Sequence, residues 1–400
     1  MNIPKLRFKE FTDEWVYYKY KDIFNLNQGL QIPITERFLD YAPNRFFYIT
    51  NEFLKPSSKK SYYIENPSPN VICTKEDILM TRTGNTGKVI TNIAGVFHNN
   101  FFRIKYNPKN FNKDFICCIL NQNKIQNKIL TLAGNSTIPD LNHKDFYSIK
   151  SRFPKLKEQE KIAKFINTVD KKIENIENTI SSLENQKKGL LQQIFSQKLR
   201  FKDENGNNYP NWKENIESIK ILSGNMYPTT SYINKPGILL IQGINITPNK
   251  LLLNDCIYIS NDYNEINHVI VKKGDILLGL NRPLINNQLK ICLFDKDFAY
   301  LYQRAGILSF NKLKINSLFL YQYLQTDSFK KHLQVELVGS DQPYIKSNIF
   351  NKIKLIFPCL EEQTKIADFL SAFDRKLDNQ KAQLEHWQQI KKGLLQQMFV

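Results

Sequence analysis

Two stretches of the chain carry apolar side chains at alternating steps of four and three residues. In the first, Ile162, Ile166, Val169, Ile173, Ile176, Ile180, Leu183, Leu190 and Ile194 keep this spacing, and only Lys187 interrupts it. In the second, Ile366, Leu370, Phe373, Leu377, Gln380, Leu384, Trp387, Leu394 and Met398 fall at the equivalent slots, with Lys391 at the interruption. A 3.5-residue period is that of a helix laying one seam against another helix, so the two stretches predict a coiled coil. At 1.5 Å per residue, residues 158–195 would make a rod roughly 57 Å long.

The intervening lengths read differently. Short β-type runs occur at 45–50, 101–106, 238–242 and 305–310, and helical stretches at 111–131 and 317–333. That mixture predicts α+β bodies. The expected order is a body at 1–152, a helix at 153–197, a second body at 198–356 and a second helix at 357–400.

The order is also a repeat. FPKLKEQEKIAKF at 153–165 returns as FPCLEEQTKIADF at 357–369, and KKGLLQQIF at 187–195 returns as KKGLLQQMF at 391–399, both at an offset of 204 residues. Aligned without a gap, the two segments share 20 of 43 positions. KLRFK occurs at 5–9 and 198–202, each time ahead of a tryptophan, Trp15 or Trp212. Within the bodies, Asp77-Ile78-Leu79 matches Asp275-Ile276-Leu277, and Gly134 with Pro139 matches Gly339 with Pro343, while most other positions differ.

Repeated helices related by a pseudo-two-fold axis would run antiparallel and hold the bodies apart. On B-DNA a 57 Å separation spans at most roughly 17 base pairs at 3.4 Å per pair. The helices also agree off the seam, at Glu158 and Glu362, Gln159 and Gln363, Lys161 and Lys365, Gln192 and Gln396. A second protein meeting each copy is the simplest cause. The stripe Phe165, Leu191 and Phe195, with Phe369, Leu395 and Phe399, supplies candidate docking side chains. Gly189 and Gly393 recur at a cost of roughly 1 kcal/mol each in a helix interior, which suggests a helix break or a close approach.

Charge narrows the partner. The chain has 56 Lys and Arg against 38 Asp and Glu, a net charge of +18. A polyanion, and first of all nucleic acid, is favoured. Candidate contacts lie in polar loops whose amides and cations match base edges and phosphates: Thr81, Arg82, Thr83, Asn85 and Lys88 in the first body, Asn281, Arg282, Asn287, Gln288 and Lys290 in the second. No stretch approaches the roughly 20 apolar residues of a membrane helix. The start, with Lys5, Arg7 and Lys9, does not read as a secretory signal, so the cytoplasm is the expected address. The six cysteines include no C-x-x-C pair, and neither a disulfide framework nor a zinc site is indicated.

Residues for catalysis are harder to find. Asp341-Gln342-Pro343-Tyr344 approaches the amino-methyltransferase motif but lacks its first proline. Pro139-Asp140 with Asp170-Lys171-Lys172 fits a nuclease pattern formally, yet the triplet falls on the helix and its copy, Asp374-Arg375-Lys376, has no equivalent partner. A solvated helix face is expected there. Gly84 to Lys88 lacks P-loop spacing, and the five histidines show no ligand or nucleophile spacing. A coiled-coil adaptor with protein-binding bodies and a stand-alone enzyme remain the competing classes; salt-sensitive binding to a two-part DNA sequence would count against the first, and the second requires the purified chain alone to methylate or cut DNA.

Variable bodies alternating with repeated helices, Phe357-Pro358 leading to Glu362-Gln363, then Lys365-Ile366-Ala367 and KKGLLQQMF, resemble the specificity subunit of type I restriction-modification systems. The resemblance covers essentially the whole chain. It implies two pseudo-symmetric target recognition domains separated by two long antiparallel helices forming a coiled-coil spacer. It further implies a bipartite site on double-stranded DNA, two adenine methyltransferase subunits docked on the chain, and restriction and translocase subunits in the full complex. S-adenosylmethionine, ATP and magnesium would then belong to the partners, with no catalysis and no metal on this chain. Asp77-Ile78-Leu79 followed by Arg82, Gly84 and Gly87 is similar to a motif common in such domains, and the second body departs from it.

Overall fold

In the first body the β-type runs pair into an antiparallel sheet in the order Phe24–Gln28, Phe101–Tyr106, Ile78–Thr81, Val89–Ile90. The computed structural model describes residues 3–55, 60–134, 137–234, 236–254, 256–263 and 267–400. Ile78, Leu79 and Met80 are all buried because alternate strand residues feed two cores. Ile78 and Met80 face the helices α1 (Tyr20–Ile23), α2 (Lys113–Leu120), α3 (Asn123–Ala133) and α4 (His143–Ser148). Leu79 lies instead with Ile49, Cys73 and Phe97 of a second sheet, ordered Tyr63–Glu65, Arg45–Ile49, Gly95–Phe97, Ile72–Cys73. An antiparallel ribbon, Val16–Lys19 with Lys150–Phe153, closes the body where the helix α5 (Leu156–Phe195) leaves it.

The second body repeats the plan in a different sequence. Its first sheet runs Lys220–Ser223, Ala305–Ser309, Ile276–Gly279, Ile291–Leu293. Ile276 and Leu278 face the helices α6 (Ser317–Tyr323) and α7 (Asp327–Glu336), while Leu277 faces the other core. The second sheet has five strands, and Lys213–Glu214 with Ile356–Phe357 forms the closing ribbon before α8 (Leu360–Gln397). Both bodies are α+β, as the runs predict.

The chain divides into two compact units, Met1–Glu177 with Ala382–Val400, and Asn178–Lys381. These cut across the four segments expected from the sequence, because each body's core continues onto the helix that follows and onto the end of the other helix. In the first unit Ile162, Ala163 and Ile166 of α5 share a core with Met398 and Phe399, and further along Asp170 meets Lys391 at 2.5 Å. In the second unit Ile366, Ala367 and Leu370 of α8 share a core with Ile194, and Asp374 meets Lys187 at 2.5 Å. The same ion pair is thus made in both units with the helices' roles exchanged. Lys381 meets Glu184 at 2.8 Å, so that moving back along α5 moves forward along α8, and the pair is antiparallel. Ile162, Ile166, Val169, Ile173, Ile176, Ile180, Leu183, Ile366, Leu370, Phe373, Leu377, Leu384 and Trp387 are all buried or half-buried. Asp170 and Asp374 are therefore seam partners of the two interrupting lysines, and not part of a solvated face.

Most off-seam identities prove to be internal anchors. Glu158 and Glu362 are buried at the starts of their helices. Glu158 accepts from Arg7 Nε and Nη2, both at 2.7 Å, and from Trp15 Nε1 at 3.3 Å. Glu362 accepts from Arg200 Nε and Nη2 at 3.0 and 2.6 Å, and from Trp212 Nε1 at 3.2 Å. The carboxylate hydrogen bond raises each arginine above its ordinary pKa against the opposing effect of burial. Each KLRFK arm is thereby clamped to its own helix. Gln159 and Gln363 do the next step. Their Oε1 atoms accept from the backbone N–H of Asn112 and Asn316, both at 2.9 Å, and those asparagines cap α2 and α6. Lys161 pairs with Glu10 and covers the Phe8 ring, while Lys365 donates to Lys202 O at 2.8 Å. The expectation that a partner protein explains these matches gives way to self-anchoring.

Candidate nucleic-acid interface

In the first body, strand Ile78–Thr81 runs out into a turn that only glycine permits at two places. Gly84 and Gly87 have φ of +83° and +90°, and a Cβ on them would lie 2.5 Å from Asn51 Nδ2 and 2.8 Å from Gln126 Oε1. Thr81 is buried beneath the turn, its hydroxyl accepting from Lys88 N at 2.9 Å. Asn85 and Lys88 are exposed, Arg82 and Thr83 half-buried. The Arg82 fork donates through Nε and Nη2 to Asp140 at 3.1 and 2.6 Å, and the Thr83 hydroxyl donates to the same carboxylate. Burial pushes the Asp140 carboxyl up, but Thr83 and Arg82 outweigh it and hold the group below its ordinary value. The Pro139-Asp140 turn thus locks the loop, and Asp170 is engaged by Lys391. Among the described residues no group of three His, Cys, Asp or Glu side chains could hold a metal ion.

The second body places its polar loop on the same support. Ile345 N donates to Leu280 O at 2.9 Å, as Leu141 N does to Arg82 O at 2.9 Å. The loop itself differs. Leu284–Ile285 pairs with Gln288–Leu289 around Asn286 and Asn287, whose φ values of +47° and +61° make a two-residue turn of the primed kind. Arg282, Ile285, Asn286, Asn287 and Gln288 are exposed, and Asn281 is half-buried. Lys290 is buried against Gly279, with its amine 3.4 Å from Asn281 O, and burial lowers its pKa. Lys330 Nζ donates to Asn287 O at 3.1 Å and meets Asp327 at 2.7 Å.

Of the ten loop residues expected to contact nucleic acid, Thr81 and Lys290 are corrected. Both lie inside their bodies and hold the loops from below. Sequence reasoning missed the role of Asp140 as the partner of Arg82, and the hairpin as a unit. Its signal was available in Asn286-Asn287 between two pairs containing leucine or isoleucine.

The docking stripe is also corrected in part. Phe399 is buried against Trp15 and Phe115, at ring separations of 6.1 and 5.3 Å. Phe195 lies 6.1 Å from Trp212 and 5.4 Å from Tyr323. Leu191 and Leu395 pack against the same two cores. Phe165 and Phe369 stand edge-on to Phe8 and Phe201 of the arms, at 5.9 and 5.4 Å, with Phe165 partly exposed. Gly189 and Gly393 break nothing. Each sits in continuous helix, and a Cβ there would meet no atom within 4 Å. No helix among the described residues is long and apolar enough to cross a membrane.

Comparison with known proteins gives one consistent set of relatives. The family model described as the type I restriction modification DNA specificity domain matches residues 12–185 and 201–386, each interval holding one body and most of the helix after it. The type I restriction enzyme MjaVIII specificity subunit of Methanocaldococcus jannaschii is 27% identical over 409 residues, covering 98% of this chain and 94% of that one. The putative MjaX specificity subunit of the same organism is 25% identical, covering 98% and 95%. Among solved structures, the type I restriction-modification S subunit from M. genitalium aligns with a TM-score of 0.64 at 17% identity, over 100% of this chain and 99% of that one. A chain from a structure concerned with complex assembly and conformational transition of a type I system gives 0.51 at 13% identity, over 95% and 96%. The structural likenesses bear on the fold.

Proposed function

Since the chain belongs to the type I restriction modification DNA specificity family, we propose that its two bodies each read one half of an asymmetric bipartite site on double-stranded DNA. The antiparallel helices set the gap and carry two adenine methyltransferase subunits. One observation supports this reading above the rest: a single scaffold is built twice, down to the strand order of its first sheet, and differs in the loop it presents. Common support with different loops is what two unlike half-sites require. Methyl transfer, ATP use and cleavage, with S-adenosylmethionine, ATP and magnesium, are assigned to the partner subunits.

The test is to co-express the chain with a cognate methyltransferase and map modified adenines genome-wide. The expected result is one gapped, asymmetric motif with an adenine modified on each strand. A gapless motif, or a pattern equal to that of the methyltransferase alone, defeats the proposal.

Lys188, Gln192, Lys392 and Gln396 match between the two helices and are exposed beside the two open glycines. We assign methyltransferase docking to this face. Alanine at Gly189 and Gly393 is then expected to act in opposite directions. It raises the stability of the isolated chain, by up to about 1 kcal/mol per site, and it weakens assembly, because a methyl group blocks a closely approaching helix. Thermal unfolding and titration with the methyltransferase measure the two effects; unchanged assembly removes the glycines from the docking face.

A further inference from the structure

The hairpin of the second body has two faces. Leu284 and Leu289 are paired in register and turn inward, Leu289 buried and Leu284 packed against the same core. Ile285 and Gln288 are the next pair and face outward, Ile285 with 42% of its surface exposed. An exposed isoleucine directly opposite an exposed amide, on a strand pair two residues long, has no packing role in the body. The element is nevertheless held rigidly. Pro283 is buried, Lys290 N donates to Pro283 O at 2.7 Å, and Lys330 fixes the carbonyl of Asn287 at the tip. Among its described residues the first body has no counterpart, since its loop closes through Gly84 and Gly87.

A two-stranded ribbon fits the major groove of B-DNA. There an Asn or Gln side chain forms two hydrogen bonds with adenine N6 and N7, and an apolar side chain packs on the thymine methyl group. Residues directly opposite on a strand pair have Cβ atoms about 5 Å apart, close enough to address one base pair together. Taking the DNA-reading function proposed above as its basis, we infer that residues 284–289 form a base-reading ribbon of the second half-site, with Gln288 and Ile285 together selecting an A·T pair. Arg282, exposed at the hairpin's foot, supplies the adjoining cation for the phosphate backbone.

The experiment compares the complete complex carrying Q288A or I285S with wild type, mapping the modified motif for each. Q288A is expected to relax one A·T position of the second half-site, with roughly ten- to hundredfold less discrimination there, and to leave the first half-site and the gap unchanged. I285S relaxes the same position more weakly. These side chains are exposed, so unchanged thermal unfolding establishes that the body is intact. If Q288A retains the full wild-type motif, or weakens all sequences equally, the ribbon does not read bases, while the two-part function stands. A wild-type complex without a two-part motif defeats the underlying function itself.

Discussion

Glu158→Ala is expected to lower the unfolding free energy by about 3–5 kcal/mol, the usual cost of breaking a buried ion pair from one side. The size follows from what is left behind. Arg7 and Glu158 keep only 9% and 2% of their side-chain surface in water, and the arginine would lose both hydrogen bonds to this carboxylate while keeping its donation to Asp13 O. Trp15 Nε1 would lose its acceptor as well. Glu362→Ala is expected to behave alike but toward the lower end, since Arg200 keeps 21% of its side chain in water and donates also to Tyr209 O and Pro210 O. Glutamine at either position retains the volume and one acceptor and costs less. Urea unfolding followed by the fluorescence of Trp15 and Trp212 checks the series, and a loss under 1 kcal/mol for both alanines contradicts the anchoring role.

The expected outcome also explains how far the sequence could be read. Local pattern was enough for the long helices and for strands such as Phe101–Tyr106, because periodicity is a property of neighbours. It also placed the loops, since turn residues announce themselves. The failures are contacts between distant residues. Nothing near Glu158 in the sequence points to Arg7, 151 residues away, so its recurrence as Glu362 looked like the mark of a partner. The aromatic stripe misled for the same reason. A ring off the seam looks free until the fold brings a second body's helix end beside it. The repeat places the expected segment boundaries at Phe153 and Phe357, whereas the cores run on into the first turns of α5 and α8. Within the loops, exposure could not be read from polarity. Thr81 and Lys290 are as polar as their neighbours and lie underneath them.

Phe399→Ala is expected to destabilise the first unit by about 3–4 kcal/mol. A residue just past the end of a helix is often weakly held, because helix ends fray. This one is buried, stacked on Phe115 and edge-on to Trp15, beside Met398, in the core that also holds Phe153 and Ile162. The backbone is tied as well, with Leu6 N donating to Gln397 O at 2.9 Å. Its internal copy shows that the contact is a designed part of the fold: Leu199 N donates to Gln193 O at 3.1 Å, and Phe195 enters the second core beside Trp212. The end of α8 therefore completes the first unit as the end of α5 completes the second. Removing the ring leaves a cavity that the surrounding aromatic side chains cannot fill without leaving their own contacts. Trp15 fluorescence should report the loss at lower urea, and Trp212 should follow Phe195→Ala in the same way. In the assembled complex, Phe399→Ala is expected to weaken recognition of the first half-site and spare the second, and equal losses on both would show that the two units do not depend on separate helix ends.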